Sequence, residues 1–163
     1  KAAIAAVATG LGLAALWTLV SRPAQGAATR PLLLALVAGG TGLVLMMDSS
    51  QSLGQLSGAL AMALAACMLF ALPRAGTRFA GPAAALAVLL LGAIWATAHL
   101  YAGFSLGYVA LLAGALLVDP ALALLRRSEQ GGLPWIPATV LTAIPVAVTV
   151  ALAVKAMQDS GGY

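Results

Sequence analysis

The chain has 163 residues, of which 63% are hydrophobic and only 7% charged, with a formal net charge of +4 and a mean hydropathy of +1.05. About a quarter of the residues in a soluble domain are charged, so this composition excludes a water-soluble globular protein. The apolar residues form long continuous Ala/Leu/Val runs and not the alternating ten-residue segments of a membrane barrel. The sequence therefore predicts one all-α integral membrane domain over residues 1–163.

Proline, glycine and polar residues divide the chain into about six apolar runs with short loops between them. The predicted spans are residues 2–20, 31–47, 52–72, 82–99, 105–125 and 136–157. Each is roughly 17–22 residues long, enough to cross about 30 Å of hydrocarbon. The first run is longer than the apolar segment of a signal peptide, so we expect a retained helix. Ser52 and Gln55 have the spacing of a capping box at the start of the third span.

The arginines predict how the bundle sits in the membrane. They fall only in the first, third and fifth loops, whereas the second and fourth loops contain no lysine or arginine. By the positive-inside rule, the arginine-bearing loops face the cytoplasm and both termini face the outer or periplasmic side, although Lys1 and Lys155 oppose this bias slightly. The expected cytoplasmic anchors are Arg22, Arg30, Arg74, Arg78, Arg126 and Arg127.

Asp119 is the most informative polar residue because it interrupts an apolar run and is followed directly by Pro120. Aspartate is a favoured N-cap and proline a favoured first helical residue. The preferred interpretation is that the fifth span breaks at 119/120 and Asp119 caps a short interfacial helix. The alternatives are an intramembrane salt bridge with an arginine, or a proton or ion site, because a carboxylate in the bilayer costs at least about 2.5–3.5 kcal/mol.

His99 is the only histidine and lies at the predicted outer end of the fourth span. One histidine cannot supply both axial ligands of a haem, and no Cys, Asp or Glu lies near it in sequence to complete a metal site. We therefore predict no metal and no cofactor, and interpret His99 as an interfacial residue, with a ligand, quinone or proton role as the alternative. The catalytic motifs of hydrolases, metalloproteases and nucleotide-binding proteins are absent, which predicts a protein that is not an enzyme.

Two GxxxG patterns indicate close helix packing. Gly54 and Gly58 form one, and Gly103 and Gly107 form the other. Small residues let membrane helices approach each other closely. Both patterns lie near predicted helix ends, so the alternative is that these glycines shape the loops and do not pack helices together.

The sequence favours a non-catalytic subunit that packs within and scaffolds a larger membrane protein complex. Short loops, few buried polar groups and abundant Ala and Gly support this hypothesis. The alternative is a small oligomeric transporter or channel for an ion, proton or small solute that uses Asp119. The expected partners are the lipid bilayer and other transmembrane proteins, with a homo-oligomer as a further option and no nucleic acid, because no basic patch is interleaved with aromatic residues. High Ala, Gly, Leu and Arg usage suggests a bacterial cytoplasmic (inner) membrane.

Overall fold

A computed structural model describes residues 29–71, 81–125 and 135–159. These residues form five α-helices and no strand, which confirms the all-α class. Six spans were predicted along the whole chain, and the first of them, 2–20, lies outside the described residues. The helices are α1 Thr29–Asp48, α2 Gln51–Ala71, α3 Gly81–Ala102, α4 Leu106–Leu125 and α5 Trp135–Asp159.

Four of these helices are long and apolar enough to cross a membrane. The qualifying segments are Arg30–Asp48 in α1, Gln51–Phe70 in α2, Gly81–Ala102 in α3 and Ala138–Asp159 in α5. The apolar part of α4, Leu106–Val118, is shorter. Length and composition therefore make the chain compatible with membrane integration.

Helix α1 is the centre of the described bundle. It packs most extensively against α2, then against α5, and also contacts α3 and α4. Helices α4 and α5 pack against each other, and α2 touches α3. The core is correspondingly built around α1, whose Val37, Val44 and Leu45 are fully buried together with Leu91 of α3 and Leu112 of α4.

The turn between α1 and α2 is only two residues long, so the two helices form a tight antiparallel hairpin. The backbone N–H groups of Ser49 and Ser50 both donate to the carbonyl of Leu45, which closes the end of α1. The Ser50 hydroxyl then accepts a hydrogen bond from the N–H of Leu53 at 3.4 Å. Ser50 is thus the N-cap of α2. The predicted capping box is wrong in register, because Ser52 is already inside the helix.

The turn between α3 and α4 depends on one glycine. Gly103 has a φ of 71°, a left-handed conformation that glycine adopts without steric cost. The N–H of the next residue, Phe104, donates to the carbonyl of Ala98 at 3.1 Å, and the Phe104 ring is fully buried. Ser105 caps α4, since its hydroxyl accepts from the N–H of Gly107 at 3.2 Å.

Helix α4 runs without a break from Leu106 to Leu125, through positions 119 and 120. An N-cap has a non-helical backbone, so the interpretation that Asp119 caps a restarted helix is wrong for this backbone. A proline in a helix removes one donor, but a continuous helix keeps the neighbouring backbone groups paired, which an apolar environment demands. The structure describes the backbone at these two positions and not the surroundings of their side chains.

Candidate functional site: the buried polar groups of the bundle

Helices α1 and α2 approach each other closely where three glycines meet. A Cβ atom built on Gly42 would lie 2.9 Å from the carbonyl oxygen of Gly54 and 3.2 Å from the nitrogen of Gly58. A Cβ on Gly54 would lie 2.8 Å from the carbonyl oxygen of Gly42 and would overlap the side chain of Met46. The predicted packing residues Gly54 and Gly58 therefore lie at a helix contact within this chain.

The second GxxxG pattern, Gly103 and Gly107, fits the loop role that the sequence left open beside helix packing. A Cβ on Gly103 would have no atom within 4 Å, and a Cβ on Gly107 would meet only the hydroxyl of Ser105, its own helix cap. Both residues shape the α3–α4 turn and neither brings two helices together. A glycine that does so was missed: Gly40 of α1 faces Val146 of α5, whose side chain would overlap a Cβ at that position.

Two buried hydroxyl groups tie α1 to its neighbours. The Ser57 hydroxyl on α2 donates to the carbonyl of Ala38 on α1 at 2.8 Å. The indole N–H of Trp95 on α3 donates to the Thr41 hydroxyl on α1 at 3.2 Å. Ser57 and Thr41 are fully buried and Trp95 nearly so, so these bonds are made away from water. Polar side chains in a membrane bundle stabilise helix association in this way.

His99 lies on the surface in the last turn of α3. Its ring makes a hydrogen bond to the turn that follows this helix. Its Nδ1 is 2.8 Å from the carbonyl oxygen of Phe104. A carbonyl oxygen can only accept, so Nδ1 carries the proton and donates. The histidine therefore secures the α3–α4 turn, which supports its interpretation as an interfacial residue at the end of a helix.

The same end of the bundle gathers residues from three elements. The rings of Phe104 and Tyr108 have centroids 5.7 Å apart and are tilted by 46°. Asp48, the last residue of α1, lies near enough to Tyr108 for the carboxylate to interact electrostatically with the phenol. Helix α4 also packs against α1.

Helix α5 carries two buried threonines in different states. The Thr149 hydroxyl donates to the carbonyl of Pro145, one turn back in the same helix, at 2.6 Å. The Thr142 hydroxyl is equally buried, but has no hydrogen-bond partner among the described groups. A buried hydroxyl without a partner is costly and rare, which makes Thr142 an unusual position in this bundle.

Only one of the six predicted arginine anchors falls within the described residues. Arg30 lies in the first turn of α1 with an exposed fraction of 9% and interacts with another group. It therefore lies within a helix and not in the first loop as predicted, because α1 begins at Thr29, two residues earlier than expected. Its role as a cytoplasmic anchor stays a prediction. The anchors outside the described residues are Arg22, Arg74, Arg78, Arg126 and Arg127.

The residues that the structure describes contain no group of three or more His, Cys, Asp or Glu side chains that could hold a metal ion. Cys67 lies alone and exposed on α2. Buried side-chain hydrogen bonds in this part of the chain are made by the hydroxyl groups of Ser57, Thr41 and Thr149 and by the indole of Trp95, and they serve helix packing.

No known protein family, curated protein or solved structure matches this chain.

Sequence reasoning missed the bond between Thr41 and Trp95 and the close approach at Gly42. The available signal was the segment Ala38-Gly39-Gly40-Thr41-Gly42, in which small residues and one hydroxyl interrupt an otherwise bulky apolar run. Such a cluster in a spanning helix indicates a surface where other helices come close. Its partners could not be read from sequence, because Trp95 lies 54 residues away.

Proposed function

We propose that this protein is a non-catalytic polytopic subunit of a larger membrane protein complex, in which it packs against other transmembrane helices and scaffolds them. In this proposal it has six spans, with both termini on the outer side of a bacterial inner membrane. It carries no cofactor. The low polar content of the described helices and the use of their hydroxyls in internal packing support a structural role.

The observation that carries the proposal is the contrast between α1 and α2. Within their spanning segments, 61% of the α1 residues are buried inside the bundle, but only 17% of the α2 residues are. After the exposed Gln55, the outer face of α2 is apolar, and it includes exposed alanines at positions 59, 63 and 66, about one helical turn apart. Small residues on the surface of a membrane helix favour contact with another helix. A surface that faces only lipid needs apolar side chains but does not need small ones.

The test is the mass of the protein extracted from its native membrane in mild detergent, with every co-migrating polypeptide identified. We expect other membrane proteins at fixed stoichiometry. Ala63→Leu on the exposed face of α2 should reduce their recovery, because a leucine blocks close helix approach. The control is Ala147→Leu, the same change at an exposed alanine of α5. A homogeneous monomer or homo-oligomer would overturn the proposal.

A second candidate function is a small oligomeric transporter or channel for an ion, proton or small solute. The observation that favours it is the continuous helix α4, which carries Asp119 inside a helix and not at a cap. Ionisable residues within membrane helices are rare and mark substrate or ion paths. Flux of protons or small ions into liposomes that contain the purified protein tests it, and Asp119→Asn should abolish that flux without lowering expression.

A further inference from the structure

The hydrogen bond of His99 determines which nitrogen of its ring is available to a ligand. Nδ1 lies 2.8 Å from the carbonyl oxygen of Phe104 and donates its proton to it, because a carbonyl oxygen can only accept. In a neutral imidazole, one ring nitrogen is a donor and the other is an acceptor. Nε2 of His99 is therefore an acceptor, and among the described residues no group donates to it.

The turn after α3 holds this acceptor in a defined orientation at the surface. The N–H of Phe104 donates to the carbonyl of Ala98 at 3.1 Å, and the Phe104 side chain is fully buried. The carbonyl group that accepts from His99 is thus fixed on both sides of the residue to which it belongs. His99 itself is exposed, so the hydrogen bond orients the ring and leaves Nε2 open to a ligand from outside the bundle.

The end of α3 favours a positively charged donor over an anion. The last carbonyl groups of a helix lack intrahelical partners, and this end of the helix carries a partial negative charge. From Gly81 to Val118 the sequence contains no Asp, Glu, Lys or Arg. Helix α3 and the first part of α4 therefore provide no cationic side chain that could pair with an anion. A cation that carries N–H groups suits both Nε2 and the negative end of the helix.

Exposed apolar side chains surround this end of α3. Leu100 and Leu106 are strongly exposed, and Tyr101 exposes 86% of its surface. Tyrosines are enriched where membrane helices reach the lipid headgroups, and leucines are at home among the acyl chains. The segment Gly81–Ala102 is long and apolar enough to cross a membrane, and in such a placement its last turn lies at the level of the headgroups.

We propose that the end of α3 binds the ammonium group of an ethanolamine phospholipid, which donates a hydrogen bond to Nε2 of His99. A choline headgroup carries the same charge, but its nitrogen is trimethylated and has no N–H to donate. The site therefore distinguishes two headgroups that differ only in their hydrogen-bonding capacity. The inference rests on the membrane placement in the proposed function, and it holds for a complex subunit and for a transporter alike.

The experiment is nitrogen NMR of the full chain in liposomes, with isotope-labelled histidine and a purification tag that contains no histidine. The chain has one histidine, so both ring resonances belong to His99. In mildly alkaline buffer we expect a protonated Nδ1 and an unprotonated Nε2. Replacing part of the phosphatidylcholine by phosphatidylethanolamine should move the Nε2 resonance to lower frequency, because an unprotonated ring nitrogen is shielded when it accepts a hydrogen bond. The Nδ1 resonance should stay in place.

Two variants connect this signal to lipid binding. After extraction from liposomes with equal amounts of the two phospholipids, the unaltered protein should retain more phosphatidylethanolamine than phosphatidylcholine. His99→Phe keeps a flat ring at this position but has no acceptor, so the preference should be lost. The matched control is Tyr101→Phe, which removes a neighbouring exposed hydroxyl and should keep the preference. Mass spectrometry of the retained lipid measures both.

Three results would overturn the inference: an Nε2 that carries the proton, an Nε2 resonance that is the same in both lipids, or a lipid preference that survives His99→Phe. If His99→Phe fails to fold by circular dichroism, the NMR comparison still decides, because it uses the unaltered protein. An alkaline carbonate wash separates the premises. If the chain stays in the membrane and the Nε2 resonance does not move, only the site fails; if the wash extracts the chain, the membrane placement fails as well.

Discussion

At the scale of single residues, glycine and hydroxyl positions decide how the helices of this bundle fit together. The contact between α1 and α2 requires Gly42 because the backbone of α2 occupies the space that a side chain would fill. Hydrophobicity alone could not identify this position, since Ala or Leu would serve equally well in a spanning helix. The sequence showed that glycines were abundant, but only the structure shows which ones face a neighbouring backbone.

We predict that Gly42→Ala destabilises the protein by about 1–3 kcal/mol, the usual cost of forcing extra atoms into a packed site. The nearest obstacles are backbone atoms of Gly54 and Gly58, which cannot move aside as a flexible side chain would. The measurement is the free energy of unfolding by a denaturing detergent in mixed micelles. Gly58→Ala is the control, because a Cβ there meets nothing within 4 Å. Equal stability of the two variants would contradict the contact.

At the scale of helices and turns, the bounds of the elements were largely predictable. Each predicted span from the second to the sixth corresponds to one helix in the structure, and the ends differ by at most three residues. These spans are 31–47, 52–72, 82–99, 105–125 and 136–157. Each long apolar run is bounded by polar turn residues, so the ends of the corresponding helix can be placed from the sequence to within a few residues. The details at the ends were less predictable, because capping depends on backbone geometry. The break expected at Asp119 did not occur, since the helix tolerates one proline more easily than an apolar environment tolerates unpaired backbone groups.

The cap of α2 provides a test at this scale. Ser50→Ala should destabilise the protein by about 0.5–2 kcal/mol, because the N–H of Leu53 loses its side-chain acceptor. Ser52→Ala should have almost no effect, since Ser52 lies within the helix on an exposed position. The same unfolding measurement compares the two variants. A larger loss for Ser52→Ala would restore the capping box that the sequence suggested.

At the scale of the whole molecule, the arginines are distributed unevenly along the sequence. The turns at 49–50 and 103–105 lie between helices and carry Ser, Gly and Phe. Arg30 is at the opposite end of α1, and the remaining arginines of the chain fall in the sequence segments that follow spans one, three and five. The sequence could predict this asymmetry because charge placement is visible in it. It could not predict that α1 would be the central helix, which depends on packing between distant segments.

We propose that the chain crosses a membrane several times with its arginine-free turns outside. The most direct measurement is labelling of single-cysteine variants in intact cells with a membrane-impermeant thiol reagent, on a Cys67→Ala background. Ser105→Cys, at the exposed α3–α4 turn, should react without permeabilisation. Thr77→Cys, between Arg74 and Arg78 in the sequence, should react only after the membrane is opened. The reverse pattern would contradict the orientation, and equal reaction of both in intact cells would contradict a spanning bundle.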